Sequence, residues 1–85
     1  MIPDIPILAK ELVVLIRERL LETPPAFHPE SDLYEHGLDS MAIMQLLLLI
    51  EEKYGVLLPD ADLTKENFHT PLALAHLIHR CSVST

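Results

Sequence analysis

The sequence predicts a small all-α bundle, and three observations carry that expectation. Apolar residues recur at helical spacing in three separate segments, hydroxyl and acid caps or a Thr-Pro pair stand at the helix starts, and the chain is rich in Leu and Ile with only two glycines. Its 85 residues are 49% apolar and 22% charged, which suits a single cored globule. A chain of this length buries about 60–65% of its unfolded surface, enough for one modest core but not for a deep catalytic cavity. One domain is expected over residues 1–85, with a core from about Ile5 to Arg80 and a tail over residues 81–85.

The first helix is expected from about Ile5 to Leu21. Ile5, Leu8, Leu12, Leu15 and Ile16 repeat at three and four, with Lys10, Glu11, Arg17 and Glu18 between them. Thr23-Pro24-Pro25 ends it, because proline lacks the amide and pushes the preceding residue out of helical geometry. Glu22 to Asp39 then reads as a long loop, and loops of that length in compact domains tend to carry function. The second helix should span Ser40 to Tyr54, capped by Asp39 or Ser40 and closed by Gly55. A short third helix is expected over Leu63 to Phe68, capped by Thr64 or Asp62. Thr70-Pro71 opens the last helix, which runs to about Arg80 with Leu74, Leu77, Ile78 and Cys81 on one face.

The second helix has more apolar surface than a bundle needs. Ile43, Leu46, Leu47, Ile50 and Tyr54 form a core stripe, while Met41, Met44, Gln45, Leu48 and Glu52 form another on the opposite side. Exposed Met and Leu suit an adaptable contact surface. The first helix or the long loop would have to cover this second stripe for it to be mere core.

Charge narrows the classes of partner. The net charge is −7, and nine acids against two bases fall between Pro29 and Glu66. That excess opposes phosphate backbones and anionic membranes, so nucleic-acid binding is not expected. A partner with a basic patch fits better. The apolar run from Met41 to Ile50 is too short to span a bilayer, which needs about 20 residues, and the start of the chain has no basic leader. A single cysteine, Cys81, excludes an internal disulfide and is consistent with a cytoplasmic setting.

Gly37-Leu38-Asp39-Ser40 places a hydroxyl where the loop becomes the second helix. A phosphoester on Ser40 would sit beside the helix's unsatisfied amides and positive dipole end, and Gly37 lets the backbone turn there with no side chain in the way. Spacing alone equally allows Ser40 to be an ordinary N-cap. Asp39 and His36 beside Ser40 evoke a hydrolase, but so small a chain has little material for an oxyanion hole and substrate pocket. His76 and His79 share a helix face near Cys81, yet structural zinc needs four ligands and no matching set stands elsewhere, so no metal is expected.

The segment from Asp32 to Met41, with Leu46, Ile50, Glu51, Glu52, Tyr54, Leu58, Pro59 and Asp60 after it, resembles the acyl and peptidyl carrier proteins. Their signature is a Gly-x-Asp-Ser element opening the second of four helices, and the resemblance runs from about Leu8 to Ile78. It implies a four-helix acyl-carrier-protein-like bundle that acts as a carrier with no catalytic residue of its own. Ser40 would receive 4′-phosphopantetheine from coenzyme A through a magnesium-dependent phosphopantetheinyl transferase, with Asp39 and Leu38 shaping recognition by that transferase and Gly37 beside them in the attachment loop. Acyl or aminoacyl groups would ride as thioesters on the arm and be passed from a loading ligase to downstream transferases. Met41, Met44, Gln45, Leu48, Glu51 and Glu52 would face those partners.

The chain departs from typical fatty-acid carriers, whose second helix shows acids where Ala42 and Gln45 stand here. Leu63-Thr64-Lys65-Glu66-Asn67-Phe68 followed by Thr70-Pro71 is more similar to free-standing aminoacyl, D-alanyl and secondary-metabolism carriers. A monomer is the expected state. The competing expectation is an unmodified helical interaction module that uses the same apolar stripe.

Overall fold

The computed structural model describes residues 2–82, so the last residues of the expected tail, 83–85, lie outside the described residues. Three α-helices are present among them: α1 (Ile5–Arg19), α2 (Ser40–Tyr54) and α3 (Pro71–Ser82), with single 3₁₀ turns at Tyr34–His36 and Asp60–Asp62. No strand occurs among the described residues, and none of the described helices is long and apolar enough to cross a membrane.

Helix α1 ends two residues before the expected Leu21. The Ile16 carbonyl accepts both Leu20 N (3.0 Å) and Leu21 N (2.9 Å), closing the helix ahead of the prolines. Leu8, Leu12, Leu15 and Ile16 are buried as their spacing requires, and α1 packs directly on α3, whose Leu74, Leu77 and Ile78 are buried as well. On α2 the buried line is Ala42, Leu46 and Ile50 at strict four-residue spacing, with Ile43, Leu47 and Tyr54 half-buried beside it. The Tyr54 hydroxyl donates to Glu11 Oε1 at 2.9 Å, fastening the end of α2 to α1.

The expected short helix over Leu63 to Phe68 does not form, so three α-helices rather than four stand among the described residues. Thr64 does cap, accepting Asn67 N at 3.3 Å, and Phe68 N donates to the Thr64 carbonyl at 3.2 Å. One such turn cannot offset the cost of nucleating a helix, and Thr70, preceding Pro71, must leave helical geometry at once. The segment remains a hydrogen-bonded turn that buries Phe68. Helix α3 starts where Thr70-Pro71 requires, with Thr70 Oγ1 accepting Ala73 N at 3.0 Å, and runs two residues past the expected Arg80.

The long connection from α1 to α2 has core anchors of its own. Phe27, Leu33 and Leu38 are buried along it, and the Arg17 guanidinium donates to the Phe27 carbonyl at 3.3 Å and to Thr23 Oγ1 at 3.5 Å. Two main-chain bonds, Leu33 N to His69 O and Leu72 N to Pro29 O, both 2.8 Å, tie the loop to the start of α3.

Candidate functional site

The loop reaches Ser40 through a series of fixed points. Asp32 Oδ1 accepts the amides of Tyr34 (2.9 Å) and Glu35 (3.4 Å), which starts the 3₁₀ turn. Gly37 closes that turn at φ 102° and ψ 13°, a left-handed geometry suited to glycine. Leu38 follows with its side chain only 5% exposed and its amide bonded to the Leu33 carbonyl at 3.1 Å. Its part is therefore to anchor the loop from inside, while Gly37 and Asp39 remain on the surface.

The capping question left open by spacing is settled by Asp39. Its Oδ1 accepts Ala42 N at 2.9 Å, making it the N-cap, and Ser40 becomes the first residue of α2. The Ser40 side chain is exposed and makes no hydrogen bond to any described residue. It stands beside the free amides and positive dipole end of a 15-residue helix, where an added phosphate is favoured. A phosphoester on this oxygen would extend into solvent without displacing a buried atom, so the residues present fit such a group.

His36 and Asp39 do not assemble a catalytic set around Ser40. The His36 ring packs edge-on against Phe27, with centroids 5.3 Å apart at 87°, and the Asp39 carboxylate is turned to the helix amide. On α3, His76 is exposed and His79 half-buried. No group of three or more His, Cys, Asp or Glu side chains suited to a metal gathers among the described residues. Cys81 packs at the edge of the core, where burial, with Asp62 adding to it, pushes its thiol up and suppresses the reactive thiolate.

Below Ser40, α2 presents the second stripe to solvent. Met41 is 75% exposed, Met44 62% and Leu48 64%, and Gln45, Glu51 and Glu52 are also exposed. Neither α1 nor the long loop covers them. Sequence reasoning missed the continuation of this face: Leu57 is 71% exposed, and with Met44, Leu48, Leu58 and Glu51 it lines a groove of about 230 Å³. The available signal was the run Val56-Leu57-Leu58 after the helix-ending Gly55, in which Val56 turns into the core and Leu57 turns out.

Asp32 and His69, another pairing that sequence reasoning missed, meet at 3.2 Å between Oδ2 and Nε2. Partial burial pushes the Asp32 carboxyl up, but the Tyr34 and Glu35 amides and the His69 ring outweigh it, and the group sits below the usual carboxylate value. Tyr34, next to this pair, is pushed up by burial and by the charges of Asp32 and Glu66.

Comparison with known proteins agrees with this geometry. Residues 10–78 match the family model described as a phosphopantetheine attachment site. Aminoacyl carrier protein 2 of Bradyrhizobium diazoefficiens is 39% identical over 51 residues, covering 60% of this chain and 57% of that protein, so the match spans little more than half of the relative's length. The D-alanyl carrier protein of Leuconostoc mesenteroides is 32% identical over 63 residues, covering 73% of this chain and 81% of that one. Among solved structures, the fold is similar to a chain in the complex of an engineered Bradyrhizobium japonicum glycine:carrier protein ligase with a carrier protein from Agrobacterium tumefaciens and ATP. The TM-score is 0.69 at 31% identity, covering 91% of this chain and 99% of that one. With a family model spanning most of its length and centred on the segment that presents Ser40, the chain belongs to the family built around a phosphopantetheine attachment site.

Proposed function

We propose that Ser40 is the attachment residue for 4′-phosphopantetheine and that the chain carries aminoacyl groups between partner enzymes without catalysing a reaction itself. The observation that carries this reading is the division of labour at the start of α2. Asp39 caps the helix, which leaves the Ser40 hydroxyl exposed and unbonded at the helix's positive end.

The attached group supplies a thiol at the end of a flexible arm, on which cargo is held as a thioester. The chain's own residues present and dock. Within a separate transferase Ser40 would offer its oxygen to the pantetheine-bearing phosphorus of the coenzyme A pyrophosphate; the pyrophosphate P–O bond on the adenosine side breaks, the Ser40 proton goes to a base of that enzyme, and adenosine 3′,5′-bisphosphate leaves. Asp39, held to the Ala42 amide, fixes the direction of the first helical turn. Leu38 holds the loop from the core, and Gly37 supplies the left-handed backbone that the approach to Ser40 requires.

Met41, Met44, Gln45 and Leu48, with Glu51 and Glu52 at the far end, form the face read by the transferase, the loading ligase and downstream transferases. Unbranched Met side chains repack against differently shaped partners, while the two glutamates favour basic ones. An amino acid cargo is supported by the likeness to an aminoacyl carrier protein and to a carrier bound to a glycine ligase. A cytoplasmic monomer fits the single cysteine and the acidic charge.

Loading tests this reading. Phosphopantetheine-bearing protein incubated with an aminoacyl ligase, ATP and glycine or alanine should gain one aminoacyl group, and hydroxylamine should remove it. Loading only by an acyl ligase with fatty acid would refute the aminoacyl assignment. The exposed Met and Leu face also supports the alternative of an unmodified interaction module, in which Ser40→Ala would leave function intact.

A further inference from the structure

We propose that Asp32 is a positioning residue for modification at Ser40, acting through a clasp with His69 that holds the Ser40-presenting loop against the start of α3. The inference rests on Ser40 as the attachment residue. The two oxygens of Asp32 work in different directions. Oδ1 takes the amides of Tyr34 (2.9 Å) and Glu35 (3.4 Å) and so starts the turn. Oδ2 meets His69 Nε2 at 3.2 Å, and the His69 carbonyl accepts the next amide of the loop, Leu33 N, at 2.8 Å. His69, two positions ahead of α3, thus grips Asp32 with its side chain and Leu33 with its main chain.

The path from the clasp to Ser40 has no slack segment. The Leu33 carbonyl accepts both His36 N and Leu38 N at 3.1 Å, and Gly37 N donates to the Tyr34 carbonyl at 3.3 Å. Leu38 is then buried, Asp39 caps α2, and Ser40 follows directly. A displacement at Leu33 therefore reaches Ser40 through hydrogen bonds and a buried side chain. If the loop is ordered only part of the time, apparent affinity for an enzyme that needs the ordered form falls by that fraction. The clasp accordingly acts on KM. Once bound, the transferase holds Ser40 itself, and kcat is kept.

The test compares wild-type protein with Asp32→Ala, Asp32→Asn and His69→Ala as substrates for coenzyme A-dependent phosphopantetheine transfer by a broad-specificity transferase. Asp32→Ala should raise KM about five- to tenfold, the scale of a lost charged hydrogen bond at a partly exposed site, with kcat within about twofold of wild type. Asp32→Asn keeps an acceptor for the two amides but loses the oxygen that meets His69, so it and His69→Ala should each keep a several-fold rise in KM, and wild-type KM in both overturns the clasp. A fall in kcat that tracks the unfolded fraction, or an unchanged KM, overturns the proposal. Amide hydrogen exchange on the unmodified protein decides the clasp independently of transfer. Gly37 and Leu38 should exchange several-fold faster in Asp32→Ala while core amides of α1 and α3 do not change, and equal exchange in both proteins overturns the clasp. Failure of wild-type protein to accept the group at Ser40 would instead overturn the attachment reading.

Discussion

Leu46 and Leu48 stand two residues apart on α2, one sealed in the core and the other 64% exposed, so a pair of substitutions separates burial from docking. Leu46→Ala removes a fully buried side chain and should cost about 2–5 kcal/mol. An 85-residue domain has on the order of 4–13 kcal/mol in total, at roughly 0.05–0.15 kcal/mol per residue. With about 4–8 °C per kcal/mol for a domain of this size, the melting temperature should fall by at least about 8 °C. Leu48→Glu loses little burial and introduces a good helix former. Its new charge faces Glu51 and Glu52 one turn on, a repulsion of about 0.2–0.5 kcal/mol per pair. The total stays below about 1 kcal/mol, a shift of no more than several degrees. Thermal melts followed by helical ellipticity give the first comparison, and transferase kinetics give the second. Leu48→Glu should raise KM about tenfold or more, because a charge would be buried unpaired against an apolar partner surface. A melting temperature lowered as far as in Leu46→Ala would show that Leu48 is core and refute the reasoning. So would normal kinetics in a stable Leu48→Glu protein.

Three further outcomes are expected. Asp39→Ala removes the N-cap of α2 and should cost about 1 kcal/mol by chemical denaturation; Asp39→Ser, which keeps a capping oxygen, should recover most of it. At Gly37 an added Cβ would meet only Leu21 Cδ2, at 3.9 Å, so Gly37→Ala should cost about 1–2 kcal/mol from the left-handed backbone rather than from a clash; a cost well below that would show that the turn relaxes. Asp32 has a folded value below its unfolded one, so its stabilising contribution is present above the ordinary carboxylate range and is lost as pH falls through the lowered folded value. Melts between about pH 4 and pH 2 should decline less steeply in Asp32→Asn than in wild type, with Glu66 and Lys65, the charged neighbours of Tyr34, left in place; parallel curves would refute that assignment.

The extent of α2 was legible to the residue because both of its ends carry a chemical reason: Asp39 has an oxygen for an orphan amide, and Gly55 takes the left-handed conformation at φ 69°. Thr70-Pro71 marked the start of α3 in the same way. The exposed stripe followed from counting apolar faces. The short third helix failed because Thr64 supplies the cap but Pro71 leaves no room for a second turn. The long loop could be recognised as a loop, yet Phe27, Leu33 and Leu38 gave no periodic signal that they enter the core. Leu38 was expected to shape recognition, and its anchoring role depends on a burial that local spacing does not encode. Asp32 and His69 lie far apart in sequence and are brought together only by the packing of the loop on the start of α3. The Asp-x-Tyr spacing did carry a local hint, since an aspartate often accepts the amide two residues on.

The most direct test of the central claim is the intact mass of purified protein before and after incubation with coenzyme A, magnesium and a broad-specificity phosphopantetheinyl transferase, alongside Ser40→Ala. The wild-type chain should gain a single phosphopantetheine, and the folded Ser40→Ala protein should gain none. Modification that persists in Ser40→Ala, or a folded wild-type chain that no transferase modifies, would contradict the assignment of Ser40 as the attachment site.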